Sequence, residues 1–174
     1  MDYSANNTAC FAGTRLEALL ALQQCREVTS IITVPDSRVH QHLESIGQQV
    51  ELVTKDSKPQ AFDFLAGQEA SMVLSVGFPY IIPGPVLNSG PLFINSHPSL
   101  LPAYKGSNAI KEAFNASEEY MGVTVHHMVA EVDAGPVIYQ KRISVHGMEL
   151  SEIYDSLFGS VEPDVITEAI SRLK

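Results

Sequence analysis

Short apolar runs alternate with segments of helical period through the first half of the chain, and nothing else in the sequence restricts the fold as much. Residues 8–12 form a strand ended by Gly13. A helix follows on Leu16, Leu19 and Leu20, with Gln23 extending its stripe and Thr14 as N-cap. Residues 28–34 are the next strand, Pro35-Asp36 turns the chain, and 37–46, with Val39, Leu43 and Ile46 in phase, is a helix stopped at Gly47. A strand at 50–54, a helix at 58–67 and a fully apolar strand at 72–76 continue the alternation. Strands separated by helices imply an α/β fold, a Rossmann-like, doubly wound and mostly parallel sheet.

The second half departs from that rhythm. The apolar run Leu92-Phe93-Ile94 ends in Asn95-Ser96-His97 and enters a loop framed by Pro98, Pro102 and Gly106, so a buried strand delivers polar side chains at its carboxyl end. Open α/β sheets carry their chemistry at that end. Asn95 and His97 fall on one face and Ser96 on the other, the first two roughly 6 to 7 Å apart. Residues 108–115 read as a helix with Ala109, Ile110, Ala113 and Phe114 inward. Strands at 123–128 and 137–145, joined by the loop 129–136, predict an antiparallel C-terminal extension. Helices at 151–158, capped by Ser151, and 163–173, started by Pro163, close the chain. Residues 1–7 are polar and expected to fray.

A chain of 174 residues supports one hydrophobic core, so residues 1–174 are expected to form a single domain. The net charge of −9 argues against a general nucleic-acid surface, which needs clustered Lys and Arg. Cys10 and Cys25 stand at no metal-ligand spacing and no signal-peptide pattern precedes the first strand, which predicts a reduced, cytoplasmic setting. No apolar run reaches the roughly 20 residues of a membrane span. The sequence carries no signal for an oligomeric state.

Several site chemistries can be weighed directly. The first strand-to-helix turn, Ala12-Gly13-Thr14-Arg15, has one glycine where a dinucleotide fingerprint has three. Ser96, Ser99, His97 and Asp133 lack the G-x-S-x-G elbow of a nucleophilic serine. The pairs His40/His42 and His126/His127 lie at spacings that make no metal site. Asn95, His97 and the later Asp133 are a more coherent set. An amide hydrogen-bonds a developing oxyanion, an imidazole stabilises it or moves a proton, and a carboxylate orients the imidazole. The plainer alternative is that Asn95 and Asp133 are turn residues and His97 a satisfied loop histidine.

Three ordered blocks add to this reading: Asn95-Ser96-His97-Pro98-Ser99-Leu100-Leu101-Pro102 with Tyr104-Lys105-Gly106, then Gly122-Val123-Thr124-Val125-His126, then Val132-Asp133-Ala134-Gly135-Pro136-Val137-Ile138. They resemble the formyltransferase family that uses 10-formyltetrahydrofolate, whose members include glycinamide ribonucleotide, methionyl-tRNA and sugar N-formyltransferases. The resemblance is nearest to the glycinamide enzyme and weaker toward the C-terminus. It implies that Asn95, His97 and Asp133 are catalytic, that an amine acceptor attacks the formyl carbon, and that Asp133 positions His97 and a water. It places the folate pterin against Phe78, Tyr80, Ile81 and Ile82 and the loop of Val129, Ala130 and Glu131. Gly13, Thr14, Arg15 and His126 are assigned to substrate binding, with His126 beside the aspartate.

The departures from the family pattern concern the acceptor. The glycinamide enzyme has a Gly-Ser-rich loop that cradles a ribose phosphate at a helix start, whereas Gly13-Thr14-Arg15 leads into a helix almost at once. The expected function is formyl transfer from 10-formyltetrahydrofolate to the primary amine of a small molecule. Alternatives are phosphoribosylglycinamide formylation in purine biosynthesis, the family's formyltetrahydrofolate hydrolase, and a folate-binding homologue of little activity. The hydrolase usually carries an extra N-terminal regulatory domain, whereas this chain starts directly at the first strand, so the hydrolase is the less expected of these. The tRNA enzyme's C-terminal tRNA-binding domain is also lacking, so no nucleic-acid partner is expected.

Overall fold

A computed structural model describes residues 7–173, which leaves most of the frayed end predicted at 1–7 outside the described residues. One seven-stranded sheet runs in the order β3-β2-β1-β4-β5-β6-β7. Strands β1 (Thr8–Gly13), β2 (Glu27–Thr33), β3 (Glu51–Leu52), β4 (Met72–Val76) and β5 (Leu92–His97) are parallel. β6 (Tyr120–His127) and β7 (Val137–Ser144) continue the sheet antiparallel, as the sequence predicts. Helices α1 (Leu16–Cys25), α2 (Arg38–Ser45), α3 (Lys58–Ala66), a single turn α4 (Gly84–Leu87), α5 (Ala109–Asn115), α6 (Leu150–Ser156) and α7 (Glu162–Arg172) flank it. The order reverses between β1 and β4, where an open α/β sheet leaves a crevice at the strands' carboxyl ends.

Alternation along the strands divides the core between the two faces. Ala9 and Phe11 of β1 pack with Leu19, Leu22, Val165 and Ile166 on the side of α1 and α7. Cys10 and Ala12 pack with Val53, Ala61 and Leu65 on the side of α3. Burial pushes the Cys10 thiol up to about 11, a hydrogen bond with Ser30 opposing it only in part, so the group stays a neutral core side chain.

Several local expectations change. Thr14 does not cap α1; Arg15 is the N-cap residue, without a side-chain capping bond, while the Thr14 hydroxyl donates to the Gly77 carbonyl. The α1 stripe is Ala18, Leu19, Ala21 and Leu22, and Leu20 is exposed. Ile46 lies past the end of α2 and is exposed, Phe114 sits at the edge of exposure, and β3 has two residues rather than five. Ser151 does not cap α6. Glu149 does, its amide donating to the Glu152 carboxylate at 2.7 Å in a capping box. The two predicted C-terminal helices are joined by a π-helical turn, Leu157–Val161, so α6 runs into α7 without a break.

Candidate active site

The strand end that carries Asn95-Ser96-His97 opens on a cavity of about 530 Å³, within the size range of small-molecule sites. Asn95 and His97 share a face of β5, as alternation requires, and Ser96 points to the other. β6 runs alongside in the register Asn95 with His126 and His97 with Thr124. That pairing sets the Asn95 amide nitrogen 3.3 Å from His126 Nε2. His126 Nδ1 donates to the His127 carbonyl at 2.8 Å, which fixes the ring beside Asn95.

Asp133 reaches the same place from the β6–β7 loop. Its φ is +55°, a conformation that aspartate tolerates better than most side chains. The loop is pressed onto β6 at Gly135, where a Cβ would overlap the His127 carbonyl. The carboxylate lies 3.4 Å from His97 Nδ1 and 3.6 Å from His126 Nε2, and its Oδ2 accepts the Gly106 amide at 2.9 Å. Burial pushes the Asp133 carboxyl up, but hydrogen bonding with His126 and Gly106 and the charges of His97 and His126 outweigh it, leaving the carboxyl below its ordinary value.

His97 Nε2 donates to the Tyr104 carbonyl at 2.7 Å, which anchors the ring. Nδ1 is the less tightly held nitrogen, and a ring protonated at both nitrogens meets an acceptor on each side. The site therefore combines an amide donor, an imidazole and an ionised carboxylate at one cavity wall. That set can stabilise an oxyanion and shuttle a proton.

The remaining predicted residues divide. Phe78, Tyr80, Ile81, Ile82, Val129 and Ala130 line the cavity; Phe78 and Tyr80 meet edge to face at 6.0 Å, and Ile82 is buried. Glu131 does not line it. Its exposed side chain stands 3.9 Å from Lys105. Gly13 and Thr14 are also outside the lining, because Gly13 is buried against the Val76 carbonyl and the Thr14 amide donates to that carbonyl at 3.1 Å. Arg15 lines the cavity but is already paired, Nε and Nη2 donating to Glu162 at 2.6 and 2.8 Å. Sequence reasoning missed Glu162, Tyr154 and Phe158. Their four-residue spacing, which stacks side chains on one helical face, was the available signal.

The sequence profile described as formyl transferase matches residues 19–170. The chain belongs to the formyl transferase family. It is 33% identical to methionyl-tRNA formyltransferase of Thermotoga maritima over 119 residues, 68% of this chain and 38% of that protein. It is also 33% identical to phosphoribosylglycinamide formyltransferase of Bacillus subtilis over 106 residues, 60% of this chain and 54% of that one. The chain thus spans little more than a third of the first relative's length and about half of the second's. The structure of phosphoribosylglycinamide formyltransferase from Bacillus halodurans superposes with a TM-score of 0.82 at 25% identity, covering 95% of this chain and 94% of that chain. A formyltetrahydrofolate deformylase from Pseudomonas syringae shares the fold at a TM-score of 0.77 and 18% identity, over 99% of this chain and 61% of that chain. The family resemblance and the α/β fold expected from the sequence both hold, and the family's formyl donor is 10-formyltetrahydrofolate. Among the described residues no helix is long and apolar enough to cross a membrane.

Proposed function

We propose that this chain, as a single catalytic domain, transfers a formyl group from 10-formyltetrahydrofolate to the primary amine of a small-molecule acceptor, with Asn95, His97 and Asp133 as catalytic residues. The observation that carries the reading is the convergence of Asn95, His97 and Asp133 at the carboxyl end of β5 in a member of the formyl transferase family. The acceptor nitrogen attacks the formyl carbon and forms the new C–N bond. The negative charge that develops on the formyl oxygen takes a hydrogen bond from the Asn95 amide and is stabilised by the positive charge of the protonated His97 ring beside it. The proton lost by the amine passes to the folate nitrogen as the old C–N bond breaks, leaving tetrahydrofolate and the N-formyl product. Asp133 holds the imidazole and compensates its positive charge.

The apolar and aromatic wall of Phe78, Tyr80, Ile81, Ile82, Val129 and Ala130 suits a flat pterin. Glu131 drops out of this set, as do Gly13 and Thr14 from the acceptor set. His126 acts through Asn95 and Asp133, orienting both. A reduced, cytoplasmic setting goes with this chemistry. Glycinamide ribonucleotide and methionyl-tRNA are the other acceptor readings, since the chain is 33% identical to relatives named for each.

The decisive test offers purified protein 10-formyltetrahydrofolate with a panel of glycinamide ribonucleotide, amino sugars, free amino acids and methionyl-tRNA. Donor consumption that requires an amine is expected. Steady formate release without any amine would make it a hydrolase, and folate binding without turnover would make it a binding module.

A further inference from the structure

Among the described residues Glu162 is the only carboxylate with no exposed surface, and the proposed chemistry leaves it without a part. A buried carboxylate is costly unless its oxygens are bonded, and here both are. Arg15 donates to them through Nε at 2.6 Å and Nη2 at 2.8 Å, a two-pronged pair that balances the charge. The Arg15 guanidinium is braced in turn, its Cζ 4.3 Å from the Phe158 ring centroid. The third bond goes to the strand that carries the site: Ser96 Oγ donates to Glu162 Oε1 at 2.6 Å.

Ser96 stands between Asn95 and His97, with its side chain on the opposite face of β5. A bond made there acts on the backbone that carries both of those side chains. The sheet holds that backbone unevenly. Val76 of β4 pairs with Ser96 and the chain then leaves the ladder at Gly77, φ +62°, so His97 pairs with Thr124 of β6 and with no residue of β4. The bond to Glu162 is thus made where the β4 ladder ends. Arg15 extends the same cluster to Gly77, on which a Cβ would stand 2.6 Å from Nη1, beside the turn into Phe78.

We propose that Glu162 is a positioning residue for formyl transfer: through Ser96 it fixes the carboxyl end of β5, and with it the placement of the Asn95 amide and the His97 ring at the formyl group. The inference rests on the formyl-transfer reading for the roles of Asn95 and His97. A charge-assisted bond of this kind biases an equilibrium by about tenfold or more, enough to decide whether the strand end holds one arrangement.

Two measurements on the full chain test it, with wild type, Ser96→Ala and the double variant Arg15→Met/Glu162→Met. The double variant removes the acceptor of Ser96 but leaves no stranded charge, an exchange that is often neutral for stability. The first measurement needs no substrate: nuclear magnetic resonance reads how fast the His97 Nε2 proton, bonded to the Tyr104 carbonyl, exchanges with water. Both variants are expected to exchange it at least about tenfold faster than wild type, by local opening that a loss of overall stability alone does not change. A smaller acceleration in either folded variant overturns the proposal, and should the double variant fail to fold, Ser96→Ala decides alone. The second measurement takes the amine that turns over fastest in the acceptor panel. Ser96→Ala is expected to lower kcat at least about tenfold while the dissociation constant for 10-formyltetrahydrofolate stays within about threefold of wild type, as misplacement without lost binding requires. A smaller fall in kcat, or a dissociation constant that rises in step with it, overturns the proposal. Wild-type protein that turns over no amine of the panel fails the formyl-transfer reading, whereas unchanged ring exchange fails this one.

Discussion

Asn95 and His97 are two residues apart on one strand, so their shared face follows from the pleat, whereas their hydrogen-bond partners come from three other segments. In the proposed mechanism, loss of either side chain removes stabilisation of the developing charge. Asn95→Ala and His97→Ala are each expected to lower turnover by at least roughly a hundredfold, measured as single-turnover formyl transfer. Unchanged rates would sink the mechanism. The Asp133 carboxyl sits below its ordinary value of 3.8 because hydrogen bonds and neighbouring imidazoles outweigh burial. A depressed folded-state value stabilises the protein above the unfolded value, and the contribution is lost as pH falls through the folded one. Urea midpoints of wild type and Asp133→Asn should therefore differ most well above 3.8 and converge as the pH falls below it. A gap that widens in acid would contradict the assignment. Asn95, His97 and Asp133 could be grouped as candidates because an amide, an imidazole and a carboxylate complement one another in oxyanion chemistry, with the family resemblance favouring that over turn residues, and the fold brings the three together. The roles of Tyr104 and Gly106 were not legible in the sequence, since both act through the backbone.

At the scale of elements, the β6–β7 connection decides whether Asp133 reaches β5 at all. Gly135 lets the loop lie against the His127 carbonyl, and a methyl group there has no space. Gly135→Ala is expected to cost about 1–3 kcal/mol in chemical denaturation. It should also lower turnover, since the loop carries Asp133; a stable, fully active variant would show that the loop is not pinned there. The rhythm of strands and helices was readable because hydrophobic periodicity reports which face is buried. The caps were less so. Thr14 and Ser151 have the chemistry of N-caps, but Thr14 bonds to β4 and the Glu149–Glu152 box starts α6 two residues earlier. Local propensity yielded in both places to a competing partner.

For the molecule as a whole, the buried Glu162 ties the last helix to β5 and to the first helix. Its carboxylate takes Ser96 from β5 and Arg15 from the start of α1, residues 66 and 147 positions away along the chain. Removing one member of a buried pair strands the other charge. Glu162→Ala is expected to lower stability by about 3–5 kcal/mol, read from urea unfolding. Ser96→Ala, which removes one hydrogen bond to a charged group, should cost about 1.5–3 kcal/mol. A Glu162→Ala variant as stable as wild type would mean that the C-terminal helices are held by packing alone.

By itself the sequence determined the α/β order, the antiparallel extension and the candidate set Asn95, His97 and Asp133, because periodicity and side-chain chemistry are local properties. The tertiary structure decided which of the other groups face the cavity. Arg15 is assigned to substrate binding at a helix start when the sequence is read by itself. In the fold it is neutralised by Glu162 and covered by Phe158, because chain topology and helix packing bring residues nearly 150 positions apart into contact. The strand end at Asn95–His97 is thus a local feature, while the pair bonded to it through Ser96 is a long-range one.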